Sequence, residues 1–163
     1  GTTLVAALFC DNQLTVAHIG DSRLYRLRGE ELSLLTRDHS FLQEQIDSGV
    51  LSVEEARFSQ NKNLVTRALG VDPDVEAEIQ DYDVQPGDIY LLCSDGLNDM
   101  VEDEEIQLTL HMLSANLELA ATQLVQMAND NGGRDNVSVI LVKVLREFPA
   151  ARGWWSKFKA WFR

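Results

Sequence analysis

Apolar and polar positions alternate in short bursts over the first 35 residues. Leu4 to Cys10 is an apolar run, Asp11-Asn12 is a turn signal, and Leu14 to Ile19 resumes the apolar pattern. Gly20-Asp21-Ser22 interrupts it, and Leu24 to Leu27 follows, with Tyr25 suited to a strand face. Arg28-Gly29-Glu30 turns the chain again before Leu32 to Leu35. Closely spaced turns between short strands predict an antiparallel meander rather than a parallel sheet. From Asp38 to about Gln60 the period lengthens. Phe41, Leu42, Ile46, Val50 and Leu51 approximate a helix broken at Ser48-Gly49, and Ser52-x-x-Glu55 has the spacing of a capping box. Asn61-Lys62-Asn63 reads as loop. Residues 76–84 and 88–93 predict two strands with Gln85-Pro86-Gly87-Asp88 as their turn. Helices are expected over 102–113 and 117–130, and Val137 to Val144 closes the series as a β-branched strand. The pattern is that of an α+β domain, with strands early, helices late and a last strand returning to the sheet.

At 163 residues the chain is long enough for one domain of ordinary size. With 45% hydrophobic and 25% charged residues its balance is that of a globular protein. No apolar run approaches the roughly 20 residues that cross a bilayer. Cys10 and Cys93 both lie in apolar strand-like runs, so both are expected to be buried free thiols. The net charge of -12 argues against nucleic acid as a partner, because phosphate binding needs clustered Lys and Arg. The charge is unevenly placed. Five basic residues and one acidic residue give 146–163 a charge of +4, which leaves -16 on the first 145.

The chemistry points to where certain aspartates stand. The continuous apolar strand Ile89 to Cys93 runs directly into Ser94-Asp95-Gly96. A carboxylate at the mouth of a buried strand is costly unless a partner neutralises it. Asp21 ends the strand Val16 to Ile19, and Asp135 lies in Gly132-Gly133-Arg134-Asp135-Asn136 just before the last strand. Carboxylates on rigid strand ends suit hard cations such as Mg²⁺ and Mn²⁺. Each aspartate taken singly also reads as a turn former or helix cap. Spacing alone does not bring them together.

Five segments, in order, carry a resemblance. Gly1-Thr2-Thr3-Leu4, Ile19-Gly20-Asp21-Ser22-Arg23, Thr66-Arg67-Ala68-Leu69-Gly70, Leu92-Cys93-Ser94-Asp95-Gly96-Leu97 and Gly133-Arg134-Asp135-Asn136-Val137-Ser138 resemble the metal-dependent protein serine/threonine phosphatases of type 2C, the PPM family, in its bacterial branch. The resemblance covers residues 1–145. It implies a four-layer fold, two stacked antiparallel sheets flanked by helices, with metals in a cleft at one end. It also implies hydrolysis of phosphoserine and phosphothreonine in proteins by a water shared between two Mg²⁺ or Mn²⁺ ions. Asp95 and Asp135 match ligands of that pair, and Asp21 matches a residue that holds a third, weaker ion together with Asp95. Gly96, Asn136 and Arg67 are candidate supporting residues, and residues 38–63 fall where the family carries a mobile flap that influences substrate choice. The family's phosphate-gripping Arg, its Glu-Asp pair and its metal-bridging Asp-Gly are expected upstream of Gly1. The chain therefore reads as the C-terminal two-thirds of such a domain, incomplete at its N-terminus and expected to be inactive alone.

Other polar groups have plainer readings. His18, His39 and His111 lack a His or Cys partner at zinc-like spacing and read as structural or surface residues. Arg23, Arg67 and Arg134 suit either phosphate or ordinary salt bridges. Trp154, Trp155, Phe158, Trp161 and Phe162 form one stripe of a helix with Lys157, Lys159 and Arg163 off it or at its margin, the composition of an interfacial helix on an anionic membrane. The same stripe would also suit docking on the protein's own body or on a partner. The membrane reading is that of a cytoplasmic phosphatase recruited to the inner membrane, toward a membrane-bound serine/threonine kinase. A competing reading is a non-catalytic phosphatase-like domain that binds a phosphoprotein or regulates a partner. A third is a generic α+β domain with turn aspartates.

Overall fold

The structure is a computed structural model that describes residues 1–56, 59 and 64–150. Among the described residues seven strands form two antiparallel sheets. One has the order β1-β2-β5, from β1 (Leu4–Cys10), β2 (Gln13–Ile19) and β5 (Glu78–Asp83). The other has the order β4-β3-β6-β7, from β3 (Arg23–Arg28), β4 (Glu31–Leu34), β6 (Ile89–Cys93) and β7 (Val139–Lys143). The helices are α1 (Phe41–Asp47), α2 (Val53–Ala56), α3 (Asp95–Asn98), α4 (Asp103–Met112) and α5 (Leu117–Asp130). No helix among the described residues is long and apolar enough to cross a membrane.

The expected strands and long helices are present, but the early strands are not one meander. β1–β2 and β3–β4 are hairpins, whereas β2 and β3 belong to different sheets. The chain crosses between them at Gly20-Asp21-Ser22. Gly20 has φ +104°, and a Cβ there would overlap the Thr3 side chain, so both conformation and space call for glycine. Asp21 is thereby placed at the crossover between the two sheets.

Strand β6 is buried on both faces, as its unbroken apolar sequence requires. Ile89, Leu91 and Cys93 meet Leu97 of α3, Ile106 and Leu110 of α4 and Leu124 of α5 in one core. Tyr90 and Leu92 face the other way and pack with Leu14 and Val16 of β2 and Leu24 of β3 between the sheets. Phe9 of β1 stands edge-on to Tyr90 at 5.2 Å. Helices α3 to α5 thus cover the outer face of the four-stranded sheet. On the outer face of the three-stranded sheet Leu4, Leu8 and Ile79 are exposed.

This alternation corrects one expectation. Cys10 is exposed, because the period of two along β1 puts it on the same outer face as Leu4 and Leu8. Cys93 is buried as expected, and burial pushes its thiol up to about 12. Residues 41–47 and 53–56 of the expected flap are helical, with Ser40 capping α1 at the Gln43 amide and the expected Ser52–Glu55 capping box formed before α2. The aromatic stripe expected over 154–163 lies outside the described residues.

Candidate metal centre

The register of the four-stranded sheet brings the three predicted aspartates to one end. Arg23 of β3 pairs with Cys93 of β6, and Cys93 pairs with Val139 of β7, so these three residues form the end row of the sheet. Asp21 lies two residues before Arg23, Asp95 two residues after Cys93, and Asp135 four residues before Val139. All three chain segments leave the sheet at the same edge of this row.

Loop 131–138 is fastened to α3 by Ser94 and Gly96. The Ser94 hydroxyl donates to the Asn136 carbonyl at 3.1 Å and accepts from the Ser138 amide at 3.0 Å, while the Ser94 amide donates to the Ser138 carbonyl at 3.1 Å. Gly96 leaves room for the Asn136 carbonyl, which a Cβ would overlap. Asn136 thus meets the start of α3 through its backbone carbonyl. Asp95 opens α3 in its first turn, where a helix N-terminus favours negative charge.

Asp95 is electrostatically coupled to each of the other two. Burial pushes the Asp21 carboxyl up to about 6, with further repulsion from Asp95, Asp38 and Asp99. Burial and then Asp135 raise Asp95. Asp95 is thus the shared neighbour of Asp21 and Asp135. Asp21 is buried, Asp95 half-buried, and Asp135 is exposed in its loop rather than sunk at a strand mouth. A cleft of about 340 Å³ is lined by Asp21, Asp95 and Asp99 together with Leu42, Ile46 and Val53 from the region of α1 and α2, and Asp135 is not among its lining residues.

Arg23 is committed elsewhere. Its Nε and Nη2 donate to both Asp38 oxygens at 3.0 and 2.7 Å, and its Nη1 donates to the Tyr25 hydroxyl at 2.8 Å. Burial alone would lower the guanidinium, but the Asp38 hydrogen bond outweighs it and holds the group firmly protonated. Arg67 is exposed, reaches the Glu76 carbonyl at 3.5 Å, and lies outside the residues lining the cleft. Arg134 is exposed beside Asp135.

Sequence reasoning missed the segment Asp38-His39-Ser40. It reads as the start of a helix, yet Asp38 holds Arg23, and the His39 Nδ1 accepts the Gly20 amide at 3.1 Å. The Asp38 and Ser40 side chains beside a predicted helix start were the only signal. His18 and His39 are buried and stacked at 4.6 Å, and His39 faces Glu78 at 3.3 Å. Among the described residues these three are the one group of His, Cys, Asp or Glu with ligand atoms all within 4.8 Å of one another. His111 is a surface residue 3.9 Å from Glu30.

The hydrogen bonds of the histidine group argue against a metal there. The Gly20 N–H occupies the His39 Nδ1 lone pair, so Nε2 carries the proton that faces Glu78. A ligating histidine instead donates its other ring N–H. The aspartate cluster has the opposite character. Its donors are carboxylate oxygens that repel one another, which suits a hard divalent ion that keeps part of its water shell.

Residues 1–145 match the family model described as Protein phosphatase 2C, and the chain belongs to that family. It is 42% identical over 145 residues to the serine/threonine protein phosphatase PstP of Mycobacterium tuberculosis, covering 89% of this chain and 28% of that protein. Against the serine/threonine phosphatase stp of Listeria monocytogenes it is 41% identical over 143 residues, covering 88% of this chain and 56% of that protein. The crystal structure of the Mycobacterium tuberculosis phosphatase PstP/Ppp superposes with a TM-score of 0.84 at 40% identity, over 88% of this chain and 60% of that one. A solved catalytic domain of PstP in complex with two manganese ions gives 0.78 at 41% identity, over 88% of this chain and 58% of that one. The chain spans between about a quarter and three-fifths of the length of these relatives.

Proposed function

We propose that the chain carries part of the catalytic centre of a protein phosphatase that hydrolyses phosphoserine and phosphothreonine with Mg²⁺ or Mn²⁺ as cofactor. The observation that carries the reading is the coupling of Asp21, Asp95 and Asp135 beyond the Arg23–Cys93–Val139 row. Family membership and the manganese-bound PstP structure support it. Asp95 and Asp135 are assigned to a dinuclear pair, and Asp21 with Asp95 to a third, weaker ion. Such ions, when bound, supply an activated water near neutral pH and offset charge on the phosphoryl group.

The chain's own residues do the positioning. Ser94 and Gly96 lock Asp135 beside Asp95 through the 131–138 loop. Asp38 keeps Arg23 in place, and Arg23 is therefore not assigned to gripping phosphate. The apolar flap wall offers purchase to residues flanking the phosphorylated side chain. The basic aromatic stretch 154–163 is assigned to an anionic membrane surface on the cytoplasmic side, which would bring the enzyme near a membrane-bound kinase.

Phosphate release from a phosphothreonine peptide by the full-length protein tests the reading. Activity should require Mn²⁺ or Mg²⁺ and vanish with EDTA. A protein that binds Mn²⁺ and the phosphopeptide without releasing phosphate would instead favour the binding or regulatory reading.

A further inference from the structure

Asp21 has a buried carboxylate on a crossover only three residues long, Gly20-Asp21-Ser22, so its direction depends on what holds the peptide groups around it. Gly20, just before it, and Arg23, two residues after it, are both held by one adjacent pair, Asp38-His39. On the far side of Asp21, Asp38 takes the Arg23 guanidinium at 2.7 Å and 3.0 Å. On the near side, the His39 amide donates to the Gly20 carbonyl at 2.9 Å, and the His39 Nδ1 accepts the Gly20 amide at 3.1 Å. One residue thus bonds both backbone groups of Gly20, whose φ of +104° and tight approach to Thr3 leave no room for a side chain.

The His39 ring is itself fixed on every side. It stacks on His18, whose Nε2 donates to the Arg37 carbonyl at 2.8 Å, and its own Nε2 donates to Glu78 of β5 at 3.3 Å. Its carbonyl accepts the Thr66 amide at 2.9 Å. Ser40, the next residue, caps the first flap helix. A side chain fixed this firmly, with its proton on Nε2, presents a rigid acceptor to Gly20.

We infer that His39 is a positioning residue: it sets the direction of the Asp21 carboxylate through the Gly20 peptide and ties that direction to the base of the flap. The inference rests on Asp21 being a ligand of the weaker ion, as proposed above. Its chemistry separates the two ends of the ring. In His39→Asn the amide oxygen falls near the Nδ1 position and still accepts the Gly20 amide, while the link to Glu78 is lost. In His39→Gln the amide nitrogen reaches toward Glu78, and the amide carbon, which cannot accept a hydrogen bond, stands where Nδ1 was.

The test is Mn²⁺ titration of the full-length protein, with free Mn²⁺ read by electron paramagnetic resonance, alongside p-nitrophenyl phosphate turnover. Loss of a group that orients a ligand weakens metal affinity by roughly tenfold or more. His39→Gln and His39→Ala should weaken the weakest Mn²⁺ site about tenfold and raise the Mn²⁺ concentration for half-maximal turnover, with the tighter sites unchanged. His39→Asn should stay within about threefold of the natural protein, because it keeps the acceptor. Equal loss in the Asn and Gln variants overturns the inference, as does an unchanged weak site in the Gln variant. Should Gln and Ala fail to fold, a folded Asn variant with a weakened site overturns it, and one with an intact site supports it. Asp21→Asn, run in parallel, separates the two levels. If it leaves every Mn²⁺ site intact, the ligand assignment falls and the inference with it. If it abolishes the weak site that His39→Gln leaves intact, only the inference falls.

Discussion

Gly96 packs against the carbonyl oxygen of Asn136 with no space for a side chain between them. This close approach holds the loop bearing Asp135 against the helix that begins at Asp95. Gly96→Ala should push the loop away, because the opposing atom is backbone and cannot rotate aside. The expected result is a loss of about 1–3 kcal/mol in stability from overpacking, with Mn²⁺ affinity falling more than tenfold. Thermal melts and Mn²⁺ titration of the folded variant check this. An alanine variant with natural affinity would show that the two segments are not coupled.

Proton and metal should compete at Asp21. Its folded carboxyl titrates at about 6, above the ordinary carboxylate value of 3.8, because burial and then Asp95 disfavour its charge. The folded metal-free chain therefore holds a proton that the unfolded chain has released between these values. Asp21 then favours folding at low pH and disfavours it progressively as pH rises through 6. A divalent ion reverses the penalty only once the proton has left. The rise in melting temperature caused by Mn²⁺ should thus be larger at pH 7.5 than at pH 5, with affinity of the site weakening by up to about tenfold per pH unit below 6. An equal rise at both pH values would contradict the cluster.

Asp88 makes the opposite prediction. It is buried just before β6, the strand that leads to Asp95, and it accepts from Arg28 at 2.8 and 2.7 Å, from Tyr90 at 3.0 Å and from the Gln85 amide at 2.9 Å. Burial alone would raise its carboxyl, but the Arg28 hydrogen bonds outweigh it and hold the group below 3.8. Its stabilisation is complete above the unfolded value and is lost as pH falls through the lower folded one. Asp88→Asn should cost about 2–3 kcal/mol at pH 7, and denaturant melts should show the gap narrowing below pH 4. A gap constant down to pH 3 would rule out an ionic role.

The tail has its own test. The described chain reaches residue 150 pinned to the β1–β2 turn, where the Phe148 amide donates to Asn12 and the Ala150 amide to Asp11. That turn lies at the opposite end of β2 from Asp21, so Ala150 lies away from the end of the sheet that carries Asp21. The full-length protein should co-sediment with phosphatidylglycerol vesicles at low salt, and deletion of 154–163 or added salt should abolish this. Binding that survives the deletion would remove the tail from the account.

The strand ends bearing Asp21, Asp95 and Asp135 were legible because apolar runs stop abruptly at them. The sheet change at Gly20 was not, since a hairpin turn and a crossover leave the same break in hydrophobic pattern. Cys10 was misplaced because an all-apolar strand gives no alternation from which to choose a face. The work of Asp38 and His39 was hidden for a different reason. Their partners, Arg23 and Gly20, lie 15 and 19 residues away and are met only once the sheets are stacked. Gly96 could be read as a turn former, whereas its need for an absent Cβ comes from Asn136, 40 positions on.

The most direct test of the central claim is Mn²⁺-dependent phosphate release by the full-length protein carrying Asp95→Asn, compared with the natural protein at saturating Mn²⁺. Asp95 is the neighbour common to Asp21 and Asp135, so its neutralisation should lower turnover by on the order of a hundredfold or more while the thermal melt shows a folded chain. Natural turnover in a folded Asp95→Asn protein would contradict a metal centre built on these aspartates.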